Sequence, residues 1–278
     1  MKNRLFLLLA AMILTPSASL MADEWDTHPI LTDNFVFSVG AFRSDSSFKL
    51  RSSLLDDIND DIDFGDSIGV DKSSTLLNAQ LRWKFGKKRK WSIWGQYFKN
   101  DATGESVLTE DVEWQDVIFR EGTFVDGGVS IEVIRAFVGR SFIKNERHDF
   151  GLGAGIHSLD LGAYIGGEII VNDETTDYRR YPSDASQILP NVGGWYTFGI
   201  AKSWVFHARV DWISANVGDY DGTLWNTNVG VNFQAWRHVG FDLSYQYFDL
   251  DLKVDKEDWD GGARMTYSGP VIGMTVNW

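Results

Sequence analysis

The chain has no cysteine and only 5 prolines. The first absence excludes a disulfide framework and thiol chemistry. Beyond the N-terminal segment no apolar run approaches the roughly 20 residues that an α-helix needs to cross a bilayer. Read by hydropathy alone, a mean of -0.20 is that of a soluble exported protein. Positive charge is scarce too: 26 Lys and Arg face 39 Asp and Glu, a formal net charge of -13. So acidic a chain is not expected to bind nucleic acid, and no cofactor is expected.

At the N-terminus, Lys2 and Arg4 precede an apolar run over 5–14, then Pro16 and small residues to Ala22. This order of basic, apolar and small-residue regions reads as a secretory signal peptide. The apolar run is about half a membrane-spanning helix. The expected organisation is a signal peptide over 1–22, removed after Ala22, and one domain over 23–278.

Aromatics and glycine are abundant: 12 Trp, 9 Tyr, 18 Phe and 27 Gly. A transmembrane barrel calls for this composition, because each strand shows one face to lipid and the other to a polar interior. The alternation is clearest in β-type periodicity over 239–247. There Val239, Phe241, Leu243, Tyr245 and Tyr247 share one face, and Gly240, Asp242, Ser244 and Gln246 the other. It recurs over 77–85, 204–212 and 225–233.

Connections alternate between short ones, at 86–89, 144–147, 201–203 and 236–238, and long acidic ones, at 44–74, 100–128, 160–189, 216–222 and 249–264. In outer-membrane barrels the periplasmic turns are short and the extracellular loops long. Four short turns with a strand at each end predict an all-β fold, an antiparallel transmembrane β-barrel of ten strands. They fall near 34–43, 75–86, 90–99, 129–142, 148–160, 190–201, 203–214, 222–235, 238–249 and 265–277. Strand-like pieces at 112–119 and 166–171 leave twelve strands as an alternative, and eight would require discarding a clear turn.

The last strand places Ile272, Met274, Val276 and Trp278 on one face and Gly273, Thr275 and Asn277 on the other. With Tyr267 at its start, this segment resembles the C-terminal β-signal of bacterial outer-membrane barrels, with Trp where Phe is commoner. Asp61-Ile-Asp-Phe-Gly-Asp66, Ile68-Gly-Val70, Leu81-Arg-Trp-Lys-Phe-Gly86, Gly151-Leu-Gly-Ala-Gly-Ile-His157 and Tyr267-Ser-Gly-Pro270 resemble a family of uncharacterised proteobacterial outer-membrane barrels. The resemblance implies fold and outer-membrane location and carries no catalytic residues. It also implies partners: outer-membrane lipid and lipopolysaccharide, and, during biogenesis, the barrel-assembly machinery and periplasmic chaperones. A monomer is expected.

The faces opposite the apolar ones supply candidate lumen residues: Arg82, Lys84, Arg135, His207, Arg209, Asp211, Asp242 and Gln246. They would line a narrow charged pore or knit an internal network that fills the barrel. Size favours the second, since about 8 strands leave room mainly for side chains and roughly 16 to 18 enclose a channel. A His with an Asp would serve as a base and its orienting partner, but no nucleophile converges on them by pattern. His157 and Ser158 are adjacent and so point to opposite faces. Asp57, Asn59 and Asp61 begin like a calcium loop, yet Ile62 and Ile68 occupy the turn-glycine and bidentate-acid positions. Trp83, Phe85, Trp91, Trp204, Trp236 and Trp278 gather at the short-turn ends, and Trp212, Trp225, Tyr245 and Tyr247 toward the long-loop ends, which predicts two aromatic girdles. The expected role is structural, surface-interacting or membrane-stabilising. A small porin is the alternative, and a lipase-type or protease-type barrel enzyme the second alternative.

Overall fold

The computed structural model describes residues 26–53, 61–115, 117–168, 170–171, 174–175, 178–217, 220–256 and 259–278. The expected signal peptide lies outside the described residues, as do Asp57 and Asn59.

Ten long strands form the wall: β1 (Phe35–Ser53), β2 (Ser73–Phe85), β3 (Trp91–Val107), β4 (Phe124–Lys144), β5 (His148–Gly167), β6 (Arg179–Ala201), β7 (Trp204–Val217), β8 (Tyr220–Trp236), β9 (Val239–Lys256) and β10 (Trp259–Asn277). Each pairs with its neighbours in sequence, and β10 also pairs antiparallel with β1, from Val36↔Asn277 to Ser53↔Asp260. The sheet closes on itself through the short-turn half. The twelve-strand alternative falls away. Val112–Trp114 and Val117–Phe119 pair only with each other, and Ile170–Val171 pairs with Glu174–Thr175, each pair apart from the barrel sheet.

The strands run well past their expected ends. β1 has 19 residues and β9 has 18, whereas about 9–11 suffice to cross a bilayer. The excess lies at the long-loop end, and the side chains show why it is stable. In the short-turn half of β9, Phe241, Leu243, Tyr245 and Tyr247 face outward, while Ser244 and Gln246 are buried inside. Beyond Tyr247 the chemistry of the two faces exchanges. Phe248, Leu250 and Leu252 become the buried set and Asp249, Asp251 and Lys253 the outer one.

β1 behaves alike, with Phe37 and Val39 outside at one end and Phe42, Phe48 and Leu50 inside at the other, beneath outward Arg43, Asp45 and Lys49. One half of each strand thus obeys the membrane rule of an apolar exterior. The other stands in water and obeys the soluble rule of an apolar core. Rings interlock in that upper core, with Phe98 edge-on to Phe248 at 5.4 Å and Phe248 to Tyr267 at 6.2 Å.

A second departure concerns the acidic stretch over 44–74, expected to be a solvated loop. β2 meets β3 only from Asn78↔Phe98 toward the short turns, which leaves the upper wall short of a strand. The segment over 61–72 fills that gap. Ile62 and Asp63 pair with Leu50 and Lys49, the Ser46 amide donates to the Lys72 carbonyl at 2.6 Å, and the Asp71 amide donates to the Thr103 carbonyl at 3.3 Å. Phe64, Ile68 and Val70 are buried by it. Gly69, at φ +77, rests so close to Glu105 that a Cβ would stand 2.6 Å from its carbonyl oxygen. The residue there must be glycine.

The small hairpin of Val112–Trp114 and Val117–Phe119 covers the mouth. Trp114 is buried, meets Phe64 edge-on at 5.4 Å and donates Nε1 to the Tyr181 carbonyl at 2.8 Å.

Candidate functional site: the polar lumen and its plug

The eight candidate lumen residues all point inward. Arg82, Lys84, Arg135, Arg209, Asp211 and Gln246 are buried, and His207 and Asp242 half-buried. They occupy the lumen of the short-turn half, where most of them bond to one another or to neighbouring polar side chains.

Two ionic clusters carry most of the charge. Asp149 accepts from Arg82 at 2.9 Å, Lys144 at 2.8 Å, Ser141 at 2.6 Å and the Trp195 indole at 3.2 Å. The Arg82 guanidinium also lies over Trp94, 4.4 Å from the ring centroid, a cation–π contact that offsets part of its desolvation. The Trp195 ring has room because two neighbouring strands carry glycine beneath it. A Cβ at Gly151 would fall 2.2 Å from the ring and one at Gly139 2.5 Å.

In the second cluster Asp211 accepts from Arg135 at 2.6 Å and lies 3.5 Å from Arg209 Nε. Arg209 donates onward to Gln96 at 2.5 Å and Gln80 at 3.2 Å. An amide chain continues it: Gln246 donates to Asn226, and Asn228 donates to Gln246 at 3.2 Å. His207 Nε2 and Asp242 Oδ2 stand 2.7 Å apart beside a small cavity lined also by Ser38, Thr197 and Asn228 and roofed by Ile30. Asp211, which sequence spacing put on the face of His207, is committed to Arg135 instead.

The short-turn end is closed by residues 26–34. One helical turn, α1 (Pro29–Thr32), begins at His28, whose Nδ1 accepts from the Ile30 amide at 3.2 Å, with Pro at the position where no amide donor is needed. A turn this short leaves its last carbonyls without intrahelical partners, and barrel cations take them. Lys84 donates to Ile30, Lys144 to Leu31 at 3.3 Å, and Arg89 to Thr32. Asp33 then receives a two-pronged bond from Arg237 at 2.7 and 2.9 Å and a third from Asn277 at 2.7 Å. Burial alone would raise the Asp33 carboxyl, but the Arg237 and Asn277 bonds outweigh it and hold it below its usual range. Burial pushes His28 down to about 4, so the plug seats it neutral.

The remaining expected sites divide. Ile272, Met274 and Trp278 are exposed on the outer face with Val276, and Trp278 stacks on Phe35 at 5.3 Å where the barrel closes. Tyr267 lies on the opposite face, in the upper core. Trp83, Trp91 and Trp236 form one outward belt with Trp278, and Trp212, Trp225, Tyr245 and Tyr247 the other. Asp61 is exposed at the start of the wall segment. The nearby Asp63 caps the Gly65 and Asp66 amides at 3.0 and 3.1 Å, and Asp66 pairs with Lys72 at 2.6 Å. Among the described residues no group of three His, Cys, Asp or Glu side chains is placed to hold a metal ion.

Sequence reasoning missed Asp149, Gln96, Trp195 and the plug. Asp149 was within reach, since it heads an alternating series with Gly151, Gly153, Gly155 and His157. Glycine, however, gives no hydropathic contrast to mark the face. The plug has no periodicity to read.

No protein-family model matches the sequence, and no curated protein matches it. Solved structures do. The outer membrane protease OmpT from Escherichia coli has 8% sequence identity, with 92% of this chain and 100% of that chain covered and a TM-score of 0.58. Ail, the attachment invasion locus protein of Yersinia pestis, has 11% identity, 86% and 98% coverage and a TM-score of 0.35. The Pseudomonas putida toluene transporter TodX has 9% identity, 97% and 93% coverage and a TM-score of 0.32. Likeness at such identities is likeness of fold. The closed ten-strand antiparallel fold, shared with OmpT, is that of an outer-membrane β-barrel.

Proposed function

We propose that this outer-membrane barrel is a closed, non-catalytic element of the envelope that stiffens the membrane and presents a water-facing lobe for surface interaction. The observation that carries the reading is the filled interior. Bonded ionic clusters occupy the membrane half, an apolar core occupies the lobe, and a plug and a lid hairpin sit at the two ends. A continuous water path would need both fillings to part. The lobe offers an acidic outer wall, and near its tip the cross-strand pair Val107 and Phe124 is exposed, which supports contact with another surface. The His207–Asp242 pair lies inside the barrel next to the plug, in the half remote from the lobe, which argues against a hydrolase acting on external substrates.

Planar-bilayer recording of the refolded full chain tests the reading. No steps above baseline are expected. Reproducible stepwise conductance would overturn it in favour of a small porin, and hydrolysis of lipid or peptide substrates in favour of an enzyme.

A further inference from the structure

The lipid-facing band of the ten strands is mostly apolar or aromatic, with small hydroxyls such as Thr227, and among the described residues a charged side chain also stands in it. Arg140 on β4 points outward from within the band. Its flanks are Trp91, its cross-strand partner on β3, and Leu152, its partner on β5, with Val138 and Phe142 next on its own strand face. Among the described residues no carboxylate pairs with it, and its guanidinium lies 5.8 Å from the Trp91 ring centroid. A guanidinium in this position costs free energy unless it reaches polar ground. Its level is that of the short-turn aromatic belt, where headgroups lie.

The turn that leads into Trp91 adds more positive charge. Lys87 and Lys88 are exposed there, Lys88 with a φ of 60 that turns the loop sharply. Arg89, the third basic residue, is already engaged with the plug through Thr32.

We propose that Arg140, with Trp91 beneath it and Lys87 and Lys88 alongside, binds the headgroup of an anionic phospholipid in the leaflet at the short-turn end. The guanidinium offers paired donors to a phosphate. The lysines add attraction that salt screens. The indole supports the glycerol region, and Leu152, Val138 and Ile93 continue the wall along which the acyl chains lie. The site rests on the membrane placement of the barrel and is independent of whether its lumen conducts.

The test is native mass spectrometry of the refolded full chain released from detergent carrying equal amounts of phosphatidylglycerol and phosphatidylethanolamine. Wild-type protein should retain phosphatidylglycerol in preference. Arg140→Gln should reduce that retention about fivefold, and Lys87→Gln with Lys88→Gln by at least as much, while Lys49→Gln at the opposite end leaves it unchanged. Arg140→Gln removes a charge from the lipid face and so does not endanger folding, which heat-modifiable gel migration checks. Equal retention of the two lipids by wild type would overturn the proposal. So would unchanged retention in Arg140→Gln, or an equal loss in Lys202→Gln, which would mark non-specific attraction to basic turns.

Discussion

Tyr247 and Phe248 are consecutive on β9 and mark the level at which the barrel leaves the membrane: Tyr247 is 41% exposed on the outer wall and Phe248 fully buried inside. Below them polar side chains face in, and above them polar side chains face out. Sensitivity to substitution should therefore change parity along a single strand. Leu243→Arg puts a guanidinium on lipid at a cost of about 2–4 kcal/mol near mid-membrane, and Leu250→Ala empties the upper core at a cost of about 2–5 kcal/mol. Asp251→Ser, which gives up an exposed pair with Arg264, should cost under about 1 kcal/mol. Urea unfolding in lipid vesicles measures all three. Equal tolerance of Leu250→Ala and Asp251→Ser would mean that the lobe has no core.

The Arg135–Asp211 pair should be asymmetric. Asp211→Asn leaves two buried guanidiniums, Arg135 and Arg209, without their carboxylate, whereas Arg135→Met leaves Asp211 beside Arg209. Breaking a buried pair costs about 3–5 kcal/mol, and Asp211→Asn should lie at the upper end, Arg135→Met below it. The double variant Arg135→Met with Asp211→Leu should recover only part of the loss, because Arg209 still lacks its carboxylate. A double variant as damaged as the sum of both singles would show that the two side chains are not coupled.

Much of this architecture was legible in the sequence, and the reason lies in the short turns. They fixed ten strands because lipid-facing alternation is uninterrupted between them, as from Trp204 to Trp212. Strand ends at the lobe were not legible. Asp249, Asp251 and Lys253 continue the alternation of period two, but on the face that had been apolar, so charge there resembled loop composition. The segment over 61–72 hid for a like reason, its acids caging turns while Phe64, Ile68 and Val70 face the core. Lumen residues followed from parity alone. Their partners did not, since Arg135 and Asp211 are far apart in sequence and Lys84 serves a plug without a motif.

The plug should respond to pH through His28. Its value is about 6.5 when released and about 4 when seated. Between those values the released segment takes up a proton that the seated one refuses, so seating is at full strength above about pH 6.5 and weakens as pH falls toward 4. Hydrogen exchange at the Leu31 and Asp33 amides, corrected for intrinsic rate, should quicken through that window in wild type. His28→Gln should flatten the dependence. A wild-type profile independent of pH from 7 to 4 would remove His28 from the seat.

The filled barrel itself is tested most directly by cysteine accessibility along β9, because the chain contains no cysteine of its own. Single substitutions at Gln246, Asp249, Leu250 and Asp251 are exposed, in folded protein in intact membranes, to a maleimide too polar to cross the bilayer. Asp249→Cys and Asp251→Cys should label within minutes, while Gln246→Cys and Leu250→Cys stay unlabelled until the barrel is unfolded. Prompt labelling of Gln246→Cys and Leu250→Cys in protein that still migrates as a folded barrel would show water running through the interior and contradict the account.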